Sequence, residues 1–216
     1  MDGQDLSDPG ELFRATFQPQ HREALVAALQ RGYRTAAEQH DPEHGSNEQT
    51  FGFGLYHFNV FELRSTATSN AALGFDEVTV NQAFRLRLDA YTLACHRVGH
   101  YANENIWSSF PDNSGAAHAL VAQQGWLPGM EPRVDTARNL VLAHFGNPED
   151  GLDAVYLCIP TREKDERITE WGFADLLWHR GGDDPTRHGL PGPTLLTPAE
   201  TIETPLVRRK RRERGA

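Results

Sequence analysis

The clearest helical period in the chain falls at residues 20–39. Leu25, Leu29, Tyr33 and Ala36 repeat along one stripe there, with Val26, Ala28 and Ala37 beside them. Spacing near 3.6 residues predicts an amphipathic helix that packs this stripe into a core. A shorter helical stretch carrying Leu12, Phe13 and Phe17 is expected after Asp8-Pro9. The polar run 40–48, with Pro42 and Gly45, ends the long helix and reads as a loop.

Beyond that loop the period changes. Phe51, Phe53, Leu55, Phe61 and Leu63 alternate, while Tyr56, Phe58 and Val60 are apolar on the opposite phase. The pattern predicts a long strand over 51–64, covered on both faces and central in a sheet. Residues 65–75 read as a connecting loop. Phe84, Leu86 and Leu88 then alternate with Arg85, Arg87 and Asp89, which predicts a half-buried strand running on through 91–98. Residues 114–124, with Ala116, Ala117, Leu120 and Val121, predict a second helix closed by Gly125. Two further strands are expected at 140–145 and 154–159, joined as a hairpin through the turn-rich residues 146–151. Residues 168–179 predict a last strand or a short helix. From Gly181 onward Gly and Pro accumulate without any apolar period, which predicts an extended segment.

These elements predict a loose acidic arm at 1–10, one α+β domain over 11–180, and a Gly/Pro-rich linker with an Arg-rich basic tail at 181–216. The domain is expected to carry a mainly antiparallel sheet packed by one long N-terminal helix and a second, shorter helix. Helices too few to alternate with the strands argue against a doubly wound fold. With 216 residues, 38% of them hydrophobic, the chain can bury one sizeable core, and 24% charged residues exclude wholesale disorder. No apolar run approaches the roughly 18–20 residues of a membrane span, and the first residues are acidic where a signal peptide is basic. Cys95 and Cys158, the only cysteines, are too few for a disulfide framework. A cytoplasmic location is expected.

Charge is distributed unevenly. The chain carries a net −9, yet residues 208–214 hold six bases and one acid. Without that segment 15 basic and 29 acidic residues remain, a net of −14. Such a body repels a phosphate backbone, while Arg208, Arg209, Lys210, Arg211, Arg212 and Arg214 attract one. The tail is therefore expected to contact nucleic acid or an acidic protein, and the leading reading is a non-catalytic binding or regulatory protein without a cofactor.

The alternative is a small metal-dependent hydrolase, of nuclease type, such as occurs in bacterial defence and toxin–antitoxin modules. Asp41, Glu43 and His44 lie together in the polar loop and offer carboxylate and imidazole ligands for a divalent cation such as magnesium or manganese. Glu62-Leu63-Arg64, read as strand, would add a third carboxylate and a cation beside the phosphodiester. Arg64 stands where such cores carry lysine, and arginine cannot act as a base. The competing reading of these residues is a solvated loop and a strand-end ion pair. His96 and His100 suggest zinc, but four residues along a strand put them roughly 13 Å apart. No glycine-rich phosphate loop and no nucleophile elbow is present. Cys95 and Cys158 are expected as buried structural thiols, and Gly52 and Gly54 as a bulge or close-packing position within the strand.

Overall fold

The computed structural model describes residues 14–80, 83–101, 106, 139–164 and 167–181. Its first long element is α1, Pro19–Glu38, entered through Pro19 in the first turn and a reciprocal cap in which His21 Nδ1 accepts from the Gln18 backbone N–H. Leu25, Leu29, Tyr33 and Ala36 are buried along it, as their period requires.

The second element corrects the sequence reading. Residues 51–64 are not a strand: they lie inside α2, Glu48–Ser69, and the expected loop over 65–75 is helical as far as Ser69. Asn47 caps the helix, accepting from the Gln49 and Thr50 backbone N–H groups, while Thr50 Oγ1 accepts from Asn47 N. Phe51, Leu55, Asn59, Leu63 and Ala67 form its buried stripe, and Phe53, Tyr56 and Phe61 point outward. Gly52 and Gly54 are helical, and an added Cβ would meet nothing within 4 Å at Gly52 and only the Phe58 ring edge at Gly54. Glycine inside a helix costs about 0.5–1 kcal/mol relative to alanine. Gly52→Ala and Gly54→Ala are each expected to stabilise the protein by about that much, read by chemical denaturation; a loss of stability at either would mean the backbone there is not a relaxed helix.

Six strands follow: β1 Asp76–Val80, β2 Ala83–Leu88, β3 Tyr91–Gly99, β4 Asn139–Asn147, β5 Gly151–Lys164 and β6 Arg167–His179. They form one sheet in sequence order, antiparallel throughout except for the parallel pair β3–β4. The fold is α+β with a mainly antiparallel sheet. The run expected from 84 to 98 is broken at Asp89-Ala90, where Asp89 adopts φ 51° and turns β2 back on β3. Aspartate tolerates this left-handed region better than most residues. The 140–145 and 154–159 strands pair as expected, through a turn in which Asn147 Oδ1 accepts from Asp150 N. Residues 168–179 are strand rather than helix. The expected helix at 114–124, the arm at 1–10 and the tail beyond Gly181 lie outside the described residues.

Leu86, Leu93, Leu142, Val155 and Leu157 pack against Leu25, Leu29, Phe51, Leu55 and Leu63 of the two helices. The alternate positions Ala94, Val141, Ala143, Tyr156 and Cys158 are buried too, so the sheet's central strands are covered on both faces. The indole N–H of buried Trp171 donates to the Ile106 carbonyl at 3.0 Å. No helix among the described residues is long and apolar enough to cross a membrane.

Candidate functional site

The residues singled out for metal chemistry are not brought together. Asp41 caps the short turn Pro42–His44, with Oδ1 accepting from the Glu43 and His44 backbone N–H groups and Oδ2 2.7 Å from His44 Nδ1. That contact with the His44 side chain, followed by the backbone bonds, holds the Asp41 carboxyl below the usual carboxylate range. Glu43 and His44 are exposed. Glu62 sits about four turns into α2, roughly 21 Å along the axis from Glu48, because a helix rises 1.5 Å per residue. Its carboxylate pairs with Arg31 of α1 at 2.5 Å. Arg64 forms a two-pronged pair with Glu77 of β1, both bonds 2.7 Å, and lies over the Phe84 ring. Glu62 and Arg64 thus each join neighbouring elements. Among the described residues no group of three or more His, Cys, Asp or Glu is placed to hold a metal ion.

A polar cluster lies instead where α1 and α2 meet β3 and β4. His144, in the middle of an apolar strand, has Nδ1 2.8 Å from the Tyr33 hydroxyl and Nε2 3.4 Å from Asn59 Nδ2. All three side chains are buried. Two glycines make the room: a Cβ on Gly32 would collide with the Asn59 amide, and one on Gly146 would stand 2.7 Å from Tyr33 Cζ. Burial, then the nearby Arg97 and His96, hold the His144 imidazole at about 3. Burial also pushes the Tyr33 hydroxyl far up, against the pull of Arg97.

Arg97 closes the cluster toward solvent. Its Nε donates to the Gly146 carbonyl at 2.9 Å, one guanidinium nitrogen pairs with Glu48, and the plane lies over Phe51. Beside it a cavity of about 140 Å³ is lined by Gly52, Leu55, Tyr56, Asn59, Cys95, His96, Arg97 and His144. Burial holds His96 at about 4, with Arg85 adding to the shift, and pushes the Cys95 thiol up to about 12. Cys158 is raised as well by burial.

Spacing marks Tyr33 only as a core residue of the first helix and gives no sign of Asn59 or His144. Asn59 is the one polar residue on the stripe Phe51, Leu55, Asn59, Leu63, and that oddity is visible only when 51–64 is read with a helical period. Arg208, Arg209, Lys210, Arg211, Arg212 and Arg214 lie outside the described residues. Comparison with protein-family models, with curated proteins and with solved structures finds no match for this chain.

Proposed function

We propose that the chain is a non-catalytic binding or regulatory protein whose segment Arg208, Arg209, Lys210, Arg211, Arg212 and Arg214 contacts nucleic acid or an acidic partner. The observation that carries this reading is the separation of charge, with six bases within 208–214 against a net of −14 for the remainder. A short basic run on an acidic protein localises attraction for polyanions to one segment.

The cavity supports the binding class. Near neutral pH, His96 and His144 are neutral and too weakly basic to take a proton in catalysis, and Cys95 remains a thiol. What such a site offers is shape, hydrogen bonds and fixed charge. Two free cysteines fit a reducing, cytoplasmic compartment.

The experiment is a salt titration of binding to mixed-sequence DNA and RNA by the intact chain and by a chain ending at Pro205. Binding by the intact chain is expected to be independent of sequence and to weaken with a slope set by up to about six phosphates. The shortened chain is expected to lose it. Undiminished binding by the shortened chain would overturn the tail's role, and absence of binding by both would exclude nucleic acid as the partner.

A further inference from the structure

β2 and β3 are paired only from Leu86↔Leu93 to Leu88↔Tyr91. Among the described residues, β2 continues toward its start through Ala83–Arg85 bonded to β1 alone, while β3 continues from Ala94 bonded to β4 alone. The sheet therefore forks between Arg85 and Ala94. Arg85, on the β2 arm of the fork, is 5% exposed, and the hydrogen bond it makes is from one guanidinium nitrogen to the Phe84 carbonyl at 3.1 Å. Among the described residues no carboxylate pairs with it. The half-buried arginines Arg22 and Arg97 differ, since each faces an acid. A buried guanidinium without a counter-charge is costly, and burial duly lowers its affinity for its proton.

The Arg85 charge reaches Tyr56, Cys95 and His96, three of the residues that line the cavity beside the fork. His96 Nε2 is buried with no hydrogen-bond partner among the described residues. The lining contains no carboxylate, its two histidines are neutral near pH 7 and Arg97 is paired with Glu48, so the uncompensated charge beside the cavity is that of Arg85. A buried positive charge without a counter-ion favours an anion in the adjoining space.

We propose that the cavity at the β2–β3 fork is a binding site for a small oxyanion, of carboxylate or phosphate size, that accepts from His96 Nε2 and balances the charge of Arg85. A volume of about 140 Å³ fixes the class. It is close to the roughly 150 Å³ that accommodates a six-membered ring, so an anion of a few heavy atoms fits and a nucleotide does not. The inference is independent of the basic tail. It assigns to the folded body a ligand of its own.

The test is thermal denaturation of the intact chain, titrated with sodium acetate or sodium phosphate at ionic strength held constant with chloride. One of the two probes is expected to raise Tm along a single-site saturation curve, and which of them does so separates a carboxylate ligand from a phosphate. Arg85→Met removes the charge at similar length; it is expected to weaken the response at least tenfold and to leave the anion-free protein as stable as before or more so. The tail is present in both chains, so its own affinity for phosphate cancels. His96 supplies a second reading that needs no variant: its imidazole proton resonances, followed by NMR at neutral pH, should shift along the same single-site curve as the anion is added. No saturable rise with either probe, or an equal rise in Arg85→Met, would overturn the proposal. If that variant fails to fold, unchanged His96 resonances at saturating acetate and phosphate would overturn it by itself.

Discussion

Lowering the pH from about 7.5 to about 4.5 is expected to remove about 5 kcal/mol of stability, the largest single effect built into this fold. His144 and His96 ionise at about 3 and about 4 in the folded protein, held down first by burial. In the unfolded chain an ordinary histidine takes its proton near 6.5. Below that value the unfolded state binds protons that the folded state refuses, so stability falls as pH falls, by about 1.4 kcal/mol per pH unit for each histidine. The contribution is complete above about pH 7 and is lost progressively toward the folded values. His144, 2% exposed, carries the larger share. Exposed Asp41 and Glu77, also held below the usual range, push in the same direction at lower pH. Against a total stability of roughly 5–15 kcal/mol, this brings the transition close to pH 4–5. Denaturant titrations at a series of pH values measure the slope, and His96→Gln should lower it by about half. Stability that stays level from pH 7 to 5 would mean both imidazoles accept protons in place.

Gly146→Ala should cost about 3 kcal/mol, at the upper end for forcing extra volume into a packed interior. A Cβ there would run into the Gly151 carbonyl on one side and the Tyr33 ring on the other. Neither neighbour yields easily. Gly151, with φ 78°, fixes the turn into β5, and the Tyr33 hydroxyl is held at His144. For a domain of this size the cost corresponds to a fall in Tm of roughly 6–12 °C. A change below about 1 kcal/mol would show that the Tyr33 ring can move aside, and the buried cluster would then not be the rigid junction described.

The elements legible in the sequence are those in which one face is apolar and the other polar. α1 and β2 satisfy that condition, and the hairpin of β4 and β5 is marked by turn residues around Gly151. α2 does not satisfy it. Phe53, Tyr56 and Phe61 occupy the outward face that polar residues normally fill, with Phe53 62% and Phe61 63% exposed. With apolar residues all round, a helix loses its 3.6-residue signature, and alternate positions then imitate a strand. The local signals did point correctly: Asn47 three residues ahead of Thr50 is a helix start. β1 carries no strand signature because Asp76 and Glu77 are charged edge positions whose side chains pair with Arg87 and Arg64. The site was illegible for a different reason. Tyr33, Asn59 and His144 meet across 26 and 85 residues of chain, and their contacts depend on the room left by Gly32 and Gly146.

The single parallel pairing sets the order in which the protein can be completed. Each hairpin joins neighbours in the chain, but β3 and β4 meet only after residues 100–138 have been spanned. Closing that interval depends on its length only logarithmically, about 0.6 kcal/mol for a doubling, so the seam is slow to form rather than expensive to keep. α1 precedes the seam in sequence, yet Val155 and Leu157 of β5 belong to the core it enters, and its Arg22 pairs with Asp175 of β6. A chain emerging from the ribosome as far as Gly99 thus has both helices and three strands while part of the α1 stripe remains wet. Until the β4–β6 meander arrives, that stripe is the surface on which premature association would begin.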